Sequence, residues 1–436
     1  MAHDIQTGIY NPERRLGDRI STVVLLLMAI GTVFVFSSSV NVGRQLELRE
    51  FYNYSGLRQL IFFPAAVAVM FAMARMDYRR LGARSGWLKS PATYFMIIAT
   101  VLVGLVLFPQ IGTEVNMARR WFRLPIGGAR ISFQPSELAK WAIIIFLAAY
   151  CARYRESIHL YFKRFLVVCM LLAVPTGLII VEDFGTAAFI CLLAFLILFF
   201  AGARFWHLLS PLPVGALAFA AVLLQSPARM DRIRAFLNPE QLADSAAYQA
   251  NQSLIALSSG GLFGRGLGRG ISKYGHLPED STDFIFAIIG EEMGFVGAAV
   301  VILLFIVLMW LGMLVVIRCK DRFGQLLAAG ITLAIGIQAA VNIGVVTVVL
   351  PTKGIPLPFI SAGGTSLMVS AAAAGILISI AYNCPSPQKR RPNKPYVTQA
   401  LNSYIDHKEP EPMAMSVEQD TPEDEYLVGA GTEAEG

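Results

Sequence analysis

Apolar runs of about twenty residues, each long enough to cross a hydrocarbon core as one helix, recur along most of this chain. They fall near residues 20–40, 57–76, 91–109, 136–153, 164–181, 185–202, 206–226, 284–318, 325–350 and 363–382. So many in one chain leave too little polar surface to cover them in water. Composition agrees, because 55% of the 436 residues are apolar and 15% charged, against about half and about a quarter in soluble proteins. The fold class that follows is an all-α integral membrane protein of about ten transmembrane helices, with a long connection between helices 7 and 8.

Charge gives this bundle a direction. The second connection (Arg75, Arg79, Arg80, Arg84, Lys89), the fourth (Arg153, Arg155, Lys163, Arg164), the eighth (Arg318, Lys320, Arg322) and the start of the tail (Lys389, Arg390, Arg391, Lys394) are strongly basic. All share one side with the N-terminus, and the positive-inside tendency makes that side cytoplasmic. An even helix count puts both termini there and makes the long connection extracytoplasmic. Residues 1–19 form a polar N-terminal segment with no small-residue cleavage pattern after the first apolar run, which reads as an uncleaved signal anchor. Residues 20–384 read as the membrane domain, and 385–436 as a disordered cytoplasmic tail, rich in Pro, Lys and Arg, then in Glu and Asp. The net charge of +6 resides mostly in short loops, a footprint of membrane orientation and not of nucleic-acid binding. Cys151, Cys169, Cys191, Cys319 and Cys384 have no CxxC or other ligand spacing, which implies neither disulfides nor zinc.

Two outward segments carry arginines where the orientation rule predicts few: Asn116 to Arg130, and about 227–283. In the shorter one, Arg119, Arg120, Arg123 and Arg130 point to an anionic ligand, since guanidinium groups bind phosphate oxygens bidentately. Snorkelling to headgroups accounts for one or two arginines, not four. The run FQPSELAK, Phe133 to Lys140, reads as a helix start with Pro135 at its first position and Glu137 and Lys140 on one face. Ionisable groups in a span are functional candidates, and a structural ion pair is an equal alternative here. A Ser136–Lys140 hydrolase dyad lacks an oxyanion site. Glu182 and Asp183 occupy a short turn at the outer boundary; Asp183 either holds a metal or an arginine, or stabilises the next helix through its dipole. The glycines from Gly260 to Gly268 allow close approach of a ligand, without the lysine or strand context of a nucleotide site. Asp283 opens the eighth helix, either as its cap or as a carboxylate able to take a proton from a substrate hydroxyl. Leu350 to Ser366 contains three prolines and three glycines and the single charge of Lys353. It reads as an ordered outward re-entrant loop, tolerated at membrane depth only if packed in protein or lining a cavity.

Taken in order, MARRWF (Met117 to Phe122), QPSELAK, the acidic pair before FGTA, SGGLFGRGLG, LPEDSTDFIFAIIGEEMGFVG and LPTKGIPLPFISAGGTS resemble the SEDS family of FtsW, RodA and SpoVE proteins. The resemblance covers about residues 14–384, and Pro-Thr-Lys-Gly at 351–354 is more similar to the division branch, FtsW, or its sporulation relative than to the elongation branch. It implies a ten-helix peptidoglycan glycosyltransferase of the bacterial cytoplasmic membrane, placed at the division site, that polymerises lipid II into glycan strands on the outer side. The partners it implies are a class B penicillin-binding protein, which crosslinks the strands, and other divisome membrane proteins. It further implies that Asp283 of the TDF motif is the catalytic residue and that Glu137, Lys140 and Asp183 belong to a central cavity. Arg119, Arg120, Trp121, Gln134, Arg232 and Lys353 join these as candidate substrate-binding residues. Ser281, Met117, Val181, Glu182 and Ala362 depart from the family pattern, and none of these departures removes a carboxylate or the lysine. In the reaction so implied, the 4-hydroxyl of lipid II attacks the anomeric carbon of the lipid-bound strand with inversion, and Asp283 is general base. Arginines, Lys140 or a divalent cation, Mg or Mn, neutralise the departing diphosphate. A lipid II flippase and a non-catalytic scaffold are the rival readings. The crowding of charge at the outer boundary, not mid-membrane, speaks against the first, and a scaffold has no need of Asp283.

Overall fold

The structure, a computed structural model, describes residues 12–39, 55–82, 86–115, 118–126, 129–237, 246–273 and 281–384. All lie in one compact unit ending at Pro387. The first eleven residues, the stretch 274–280 with His276 and Glu279, and the tail expected over 385–436 lie outside the described residues. The chain runs α1 (Pro12–Ser39), α2 (Ser55–Arg75), α3 (Pro91–Val106), β1 (Thr113–Val115), β2 (Ala118–Ile126), β3 (Ala129–Phe133) and α4 (Pro135–Arg153). It continues through α5 (Leu166–Glu182), α6 (Phe184–Ala201), α7 (Phe205–Leu209), α8 (Leu212–Leu224), α9 (Pro227–Leu237) and α10 (Ala246–Ser259) to α11 (Ile285–Arg318), α12 (Arg322–Val346) and α13 (Gly364–Asn383). Among the described residues nine helical stretches are long and apolar enough to cross a membrane, α7 with α8 counting as one, and the shorter apolar α3 is the tenth.

Burial sorts the helices by role. In α4 every residue from Pro135 to Cys151 except Leu138 is buried, as expected of a helix apolar around nearly its whole circumference. It packs among α3, α6 and α12. In α8 no residue is buried, and the apolar Val214, Leu217 and Leu224 are highly exposed, as expected of a helix that faces lipid. Pro211 breaks the expected run 206–226 into α7 and α8, because a proline inside a helix lacks the N–H and crowds the preceding turn.

The basic connections gather at one end of the bundle. There the Tyr382 hydroxyl of α13 donates to Asp18 Oδ1 of α1 at 2.6 Å, Arg79 donates to the Asn383 carbonyl, and Tyr78 donates to Asp321 Oδ2 at 3.0 Å. Burial pushes the Tyr78 hydroxyl up to about 12, so it stays a donor. The same end corrects the cysteine reading, for Cys319 and Cys384 form a disulfide with their Cα atoms 5.3 Å apart. They cap the C-termini of α11 and α13, and only the bundle, not their separation of 65 residues, brings those ends together.

Two further departures concern the opposite end. The arginine-bearing segment before α4 is a three-stranded antiparallel sheet in the order β1-β2-β3, with Ile126 opposite Ala129. The Gly127-Gly128 dipeptide between those partners is a two-residue hairpin signal that an all-α reading passes over. The long connection before α11 carries two helices, α9 and α10, among the described residues. Within α11, Gly294 has φ 67° and ψ −163°, so its first nine residues form a head separate from the membrane span. A Cβ at Gly294 would stand 2.4 Å from the Gly264 nitrogen, and only glycine permits both that conformation and that approach. The residues between α12 and α13 are helix-free and well packed, with Leu357, Phe359 and Ile360 buried.

Candidate active site

The sequence QPSELAK places an ion pair at the head of the most buried helix. Pro135 occupies the first turn of α4, and one turn later Lys140 Nζ lies 2.9 Å from Glu137 Oε2 with the lysine side chain 2% exposed. The ammonium also donates to Gln338 Oε1 of α12 at 2.7 Å and faces the rings of Trp141 and Phe189 at 5.2 and 5.8 Å. Ser366, in the first turn of α13, donates to the same Glu137 oxygen at 3.2 Å. Gln134, Glu137, Lys140, Gln338 and the segment from Gly354 to Pro356 line one narrow cleft.

A second acidic centre borders it. Asp183 caps α6, accepting from the Thr186 amide at 3.1 Å and the Thr186 hydroxyl at 2.8 Å. Its Oδ2 also takes a long bond from Gln134 Nε2 at 3.4 Å and lies 3.8 Å from Arg120 Nη1. The capping reading of Asp183 and its pairing with an arginine therefore hold together. Next to it, Glu182 Oε2 accepts from the Arg119 amide at 2.9 Å and the Glu182 carbonyl from Arg120 Nε at 3.0 Å. These bonds fasten β2 to the α5–α6 turn. The Arg119 side chain pairs with Glu114 at 3.3 Å.

Asp283, half-buried, borders the cleft at its loop. A Cβ on Gly354, which lines the cleft, would stand 3.0 Å from Asp283 Oδ2, so the carboxylate rests against the loop. The helix α11 begins two residues later, with Phe284 at its cap position. The Asp283 carbonyl accepts from Asn342 Nδ2 of α12 at 2.8 Å. Its neighbours join the loop as well: Ser361 donates to the Thr282 carbonyl at 2.6 Å, and Ala362 to the Ser281 carbonyl at 2.8 Å. Lys353 Nζ sits 5.6 Å from the Phe184 ring centroid. Burial holds its ammonium below the ordinary lysine range, and Asp183 opposes that shift.

Of the candidates read from sequence, Gln134, Glu137 and Lys140 line the cleft and Arg120, Asp183, Lys353 and Asp283 border it. Trp121, paired across the sheet with Thr113, and Arg232, exposed on α9, do not line it. The Arg130 side chain lies outside the described residues. Among the described residues no three His, Cys, Asp or Glu side chains converge as metal ligands. Asp183 and Glu182 already accept from amide, hydroxyl and guanidinium donors, so the donor set does not fit a divalent cation there. Sequence reasoning missed Gln338 and Asn342. It also missed a buried knot beside the Gly294 break, where Lys273 pairs with Glu292 at 3.1 Å and Ser37 donates to Glu292 at 2.8 Å. Glu291 in turn accepts from the amides of Ile271 and Ser272.

Residues 18–385 match the family model of the FtsW, RodA and SpoVE cell cycle proteins. The chain belongs to that family. It is 38% identical over 366 residues to a protein of Coxiella burnetii named "Probable peptidoglycan glycosyltransferase FtsW", covering 82% of this chain and 94% of that protein. Stage V sporulation protein E of Bacillus subtilis is 37% identical over 360 residues, with 82% and 94% covered. A chain from a peptidoglycan synthase complex, solved in a study of coordinated polymerization and crosslinking, superposes with a TM-score of 0.64 at 24% identity, covering 83% of this chain and 96% of that one. The FtsW/RodA/SpoVE fold thus extends over the bundle that builds the cleft.

Proposed function

We propose that this protein is a peptidoglycan glycosyltransferase that polymerises lipid II, with Asp283 as general base and the cleft headed by Lys140 as the place where the sugar diphosphate is held. The observation that carries the assignment is the contact between the Asp283 carboxylate and Gly354, whose loop lines the same cleft as Lys140 and Glu137. A base and a cation on two sides of one loop are what a transfer between a hydroxyl and a diphosphate leaving group requires. In the reaction Asp283 takes the proton of the 4-hydroxyl as that oxygen bonds the anomeric carbon. The bond from that carbon to the diphosphate oxygen breaks on the opposite face, and its electron pair leaves with the polyprenyl diphosphate. Lys353 and Arg120 border the cleft as cations for that developing charge, and the Glu137–Lys140 pair fixes the polar floor.

The end bearing the sheet, α10 and Asp283 is the outer one, by the basic residues gathered at the other, and both termini are then cytoplasmic. The crosslinking partner is a class B penicillin-binding protein, and the Pro-Thr-Lys-Gly segment favours work at the division site. The test is polymerisation of purified lipid II by the protein with that partner, wild type beside Asp283→Asn at equal expression and equal partner binding. Loss of glycan product in the variant is expected. Unchanged product would remove Asp283 from the reaction.

A further inference from the structure

α12 crosses the bundle as an apolar helix, yet it buries two side-chain amides one turn apart. Gln338 is 2% exposed and Asn342 1%, and the spacing of four residues sets both on one face. Each amide joins the 351–363 loop to a charged residue. Gln338 accepts from Lys140 Nζ at 2.7 Å and donates to the Pro356 carbonyl at 2.8 Å. Asn342 donates through one nitrogen to the Ile355 carbonyl and to the Asp283 carbonyl, both at 2.8 Å. The two loop carbonyls so held are adjacent, and Gly354, which touches the Asp283 carboxylate, precedes them.

We propose that Gln338 and Asn342 are positioning residues: the amide pair fixes the loop at Ile355 and Pro356 and thereby sets Asp283 at a constant place relative to Lys140. This rests on Asp283 being the base. Two features separate the assignment from ordinary packing. A polar side chain inside a span is costly unless it has a task, and an apolar residue would fill the same volume. In addition, the two amides hold consecutive loop carbonyls, Ile355 and Pro356, while one reaches the Asp283 carbonyl and the other Lys140.

The experiment uses the full chain with its crosslinking partner and purified lipid II. Asn342→Ala frees the Asp283 carbonyl and the loop together, and misplacement of a reacting group by about 1 Å costs up to roughly 100-fold. The expected result is a fall in kcat of about 10- to 100-fold with KM for lipid II within about threefold, because the cleft that binds the head group is otherwise intact. Asn342→Ser, which keeps one donor, falls between Ala and wild type. Asn342→Asp, equal in shape but presenting a carboxylate to two carbonyls, does not recover activity. Hydrogen exchange is read on the same samples, and Asn342→Ala speeds exchange in both the 281–285 and the 353–358 peptides. Wild-type kcat in Asn342→Ala, or a rise in KM with kcat unchanged, overturns the proposal. So does exchange that changes in neither or only one of the two segments. An Asp283→Asn arm separates the two claims. If Asp283→Asn is inactive and Asn342→Ala behaves as wild type, only the positioning role fails; if Asp283→Asn stays active, the assignment of the base fails and the positioning role goes with it.

Discussion

Lys140→Met tests whether the cleft floor is an electrostatic unit. At an effective dielectric near 20, unit charges at the 2.9 Å separation of Lys140 and Glu137 attract by about 6 kcal/mol, a gross figure that desolvation of both ions largely offsets. Removing one partner is a different matter, because it strands the other. In Lys140→Met the Glu137 carboxylate keeps the Ser366 hydroxyl but loses its counter-ion, and Gln338 Oε1 loses its donor. A loss of roughly 3–5 kcal/mol is expected. Glu137→Gln alone strands the ammonium instead. In the double variant Glu137→Gln/Lys140→Met no buried charge remains, and the amide can accept from Ser366, so the two losses do not add. A coupling energy of about 1.5 kcal/mol or more is expected, within the range for residues in direct contact. The assay is reversible unfolding of the four proteins in mixed micelles titrated with dodecyl sulfate, with lipid II polymerisation measured in parallel. Losses that add to within about 0.5 kcal/mol would refute the unit. Recovery of stability in the double variant without recovery of polymerisation is expected as well, and it would assign the ammonium a task on the substrate beyond holding Glu137.

The contact between Gly354 and Asp283 predicts that Gly354→Ala lowers polymerisation on the order of tenfold, since a Cβ 3.0 Å from Oδ2 must displace the carboxylate by a few tenths of an ångström. Gly185→Ala, whose nearest neighbour is the flexible Lys353 Cδ at 3.4 Å, is expected to change it less than twofold. Burial lowers the Lys353 value below 10.5, so between the lowered value and 10.5 the unfolded chain binds more protons than the folded one. Its contribution to stability therefore rises with pH through that window and is least favourable below it; Lys353→Met should flatten the slope in unfolding titrations. The Cys319–Cys384 tie predicts that alkylation labels both cysteines only after reduction. Cys384→Ser should lose up to about 4 kcal/mol of stability by the chain-entropy account while polymerising lipid II normally, measured by unfolding and product analysis of the same preparation.

What the sequence makes legible follows from how local its cause is. The spans are legible because crossing a hydrocarbon core needs consecutive apolar residues, and all ten expected runs coincide with helices among the described residues. The start of α4 and the Glu137–Lys140 pair are legible because a proline at the first turn and a spacing of three are local rules. The breaks are less so. Gly294 looks like any glycine in an apolar run until Gly264 arrives against it from thirty residues earlier, and the disulfide depends on which helix ends the bundle brings together. The sheet escapes for another reason: in a chain dominated by helical runs the Gly-Gly hairpin signal at 127–128 is small.

The least legible part of the site is the part that assembles it. Lys140 reaches Gln338 across 198 residues and Asn342 reaches Asp283 across 59, distances over which no periodicity operates. Gln338 and Asn342 nevertheless leave a trace in the sequence, because an amide in an apolar span must find partners or pay a desolvation cost. Weighing ionisable residues alone, as charge-based reasoning does, discards that trace. In α12 buried polarity amounts to Thr332, Gln338 and Asn342, and the latter two sit one turn apart on the face that meets the loop. Counting side-chain amides in spans on the same footing as charges points to α12, the helix whose buried Gln338 and Asn342 join the lysine to the aspartate. Lys140 and Asp283, by contrast, are conspicuous as charges and silent about each other.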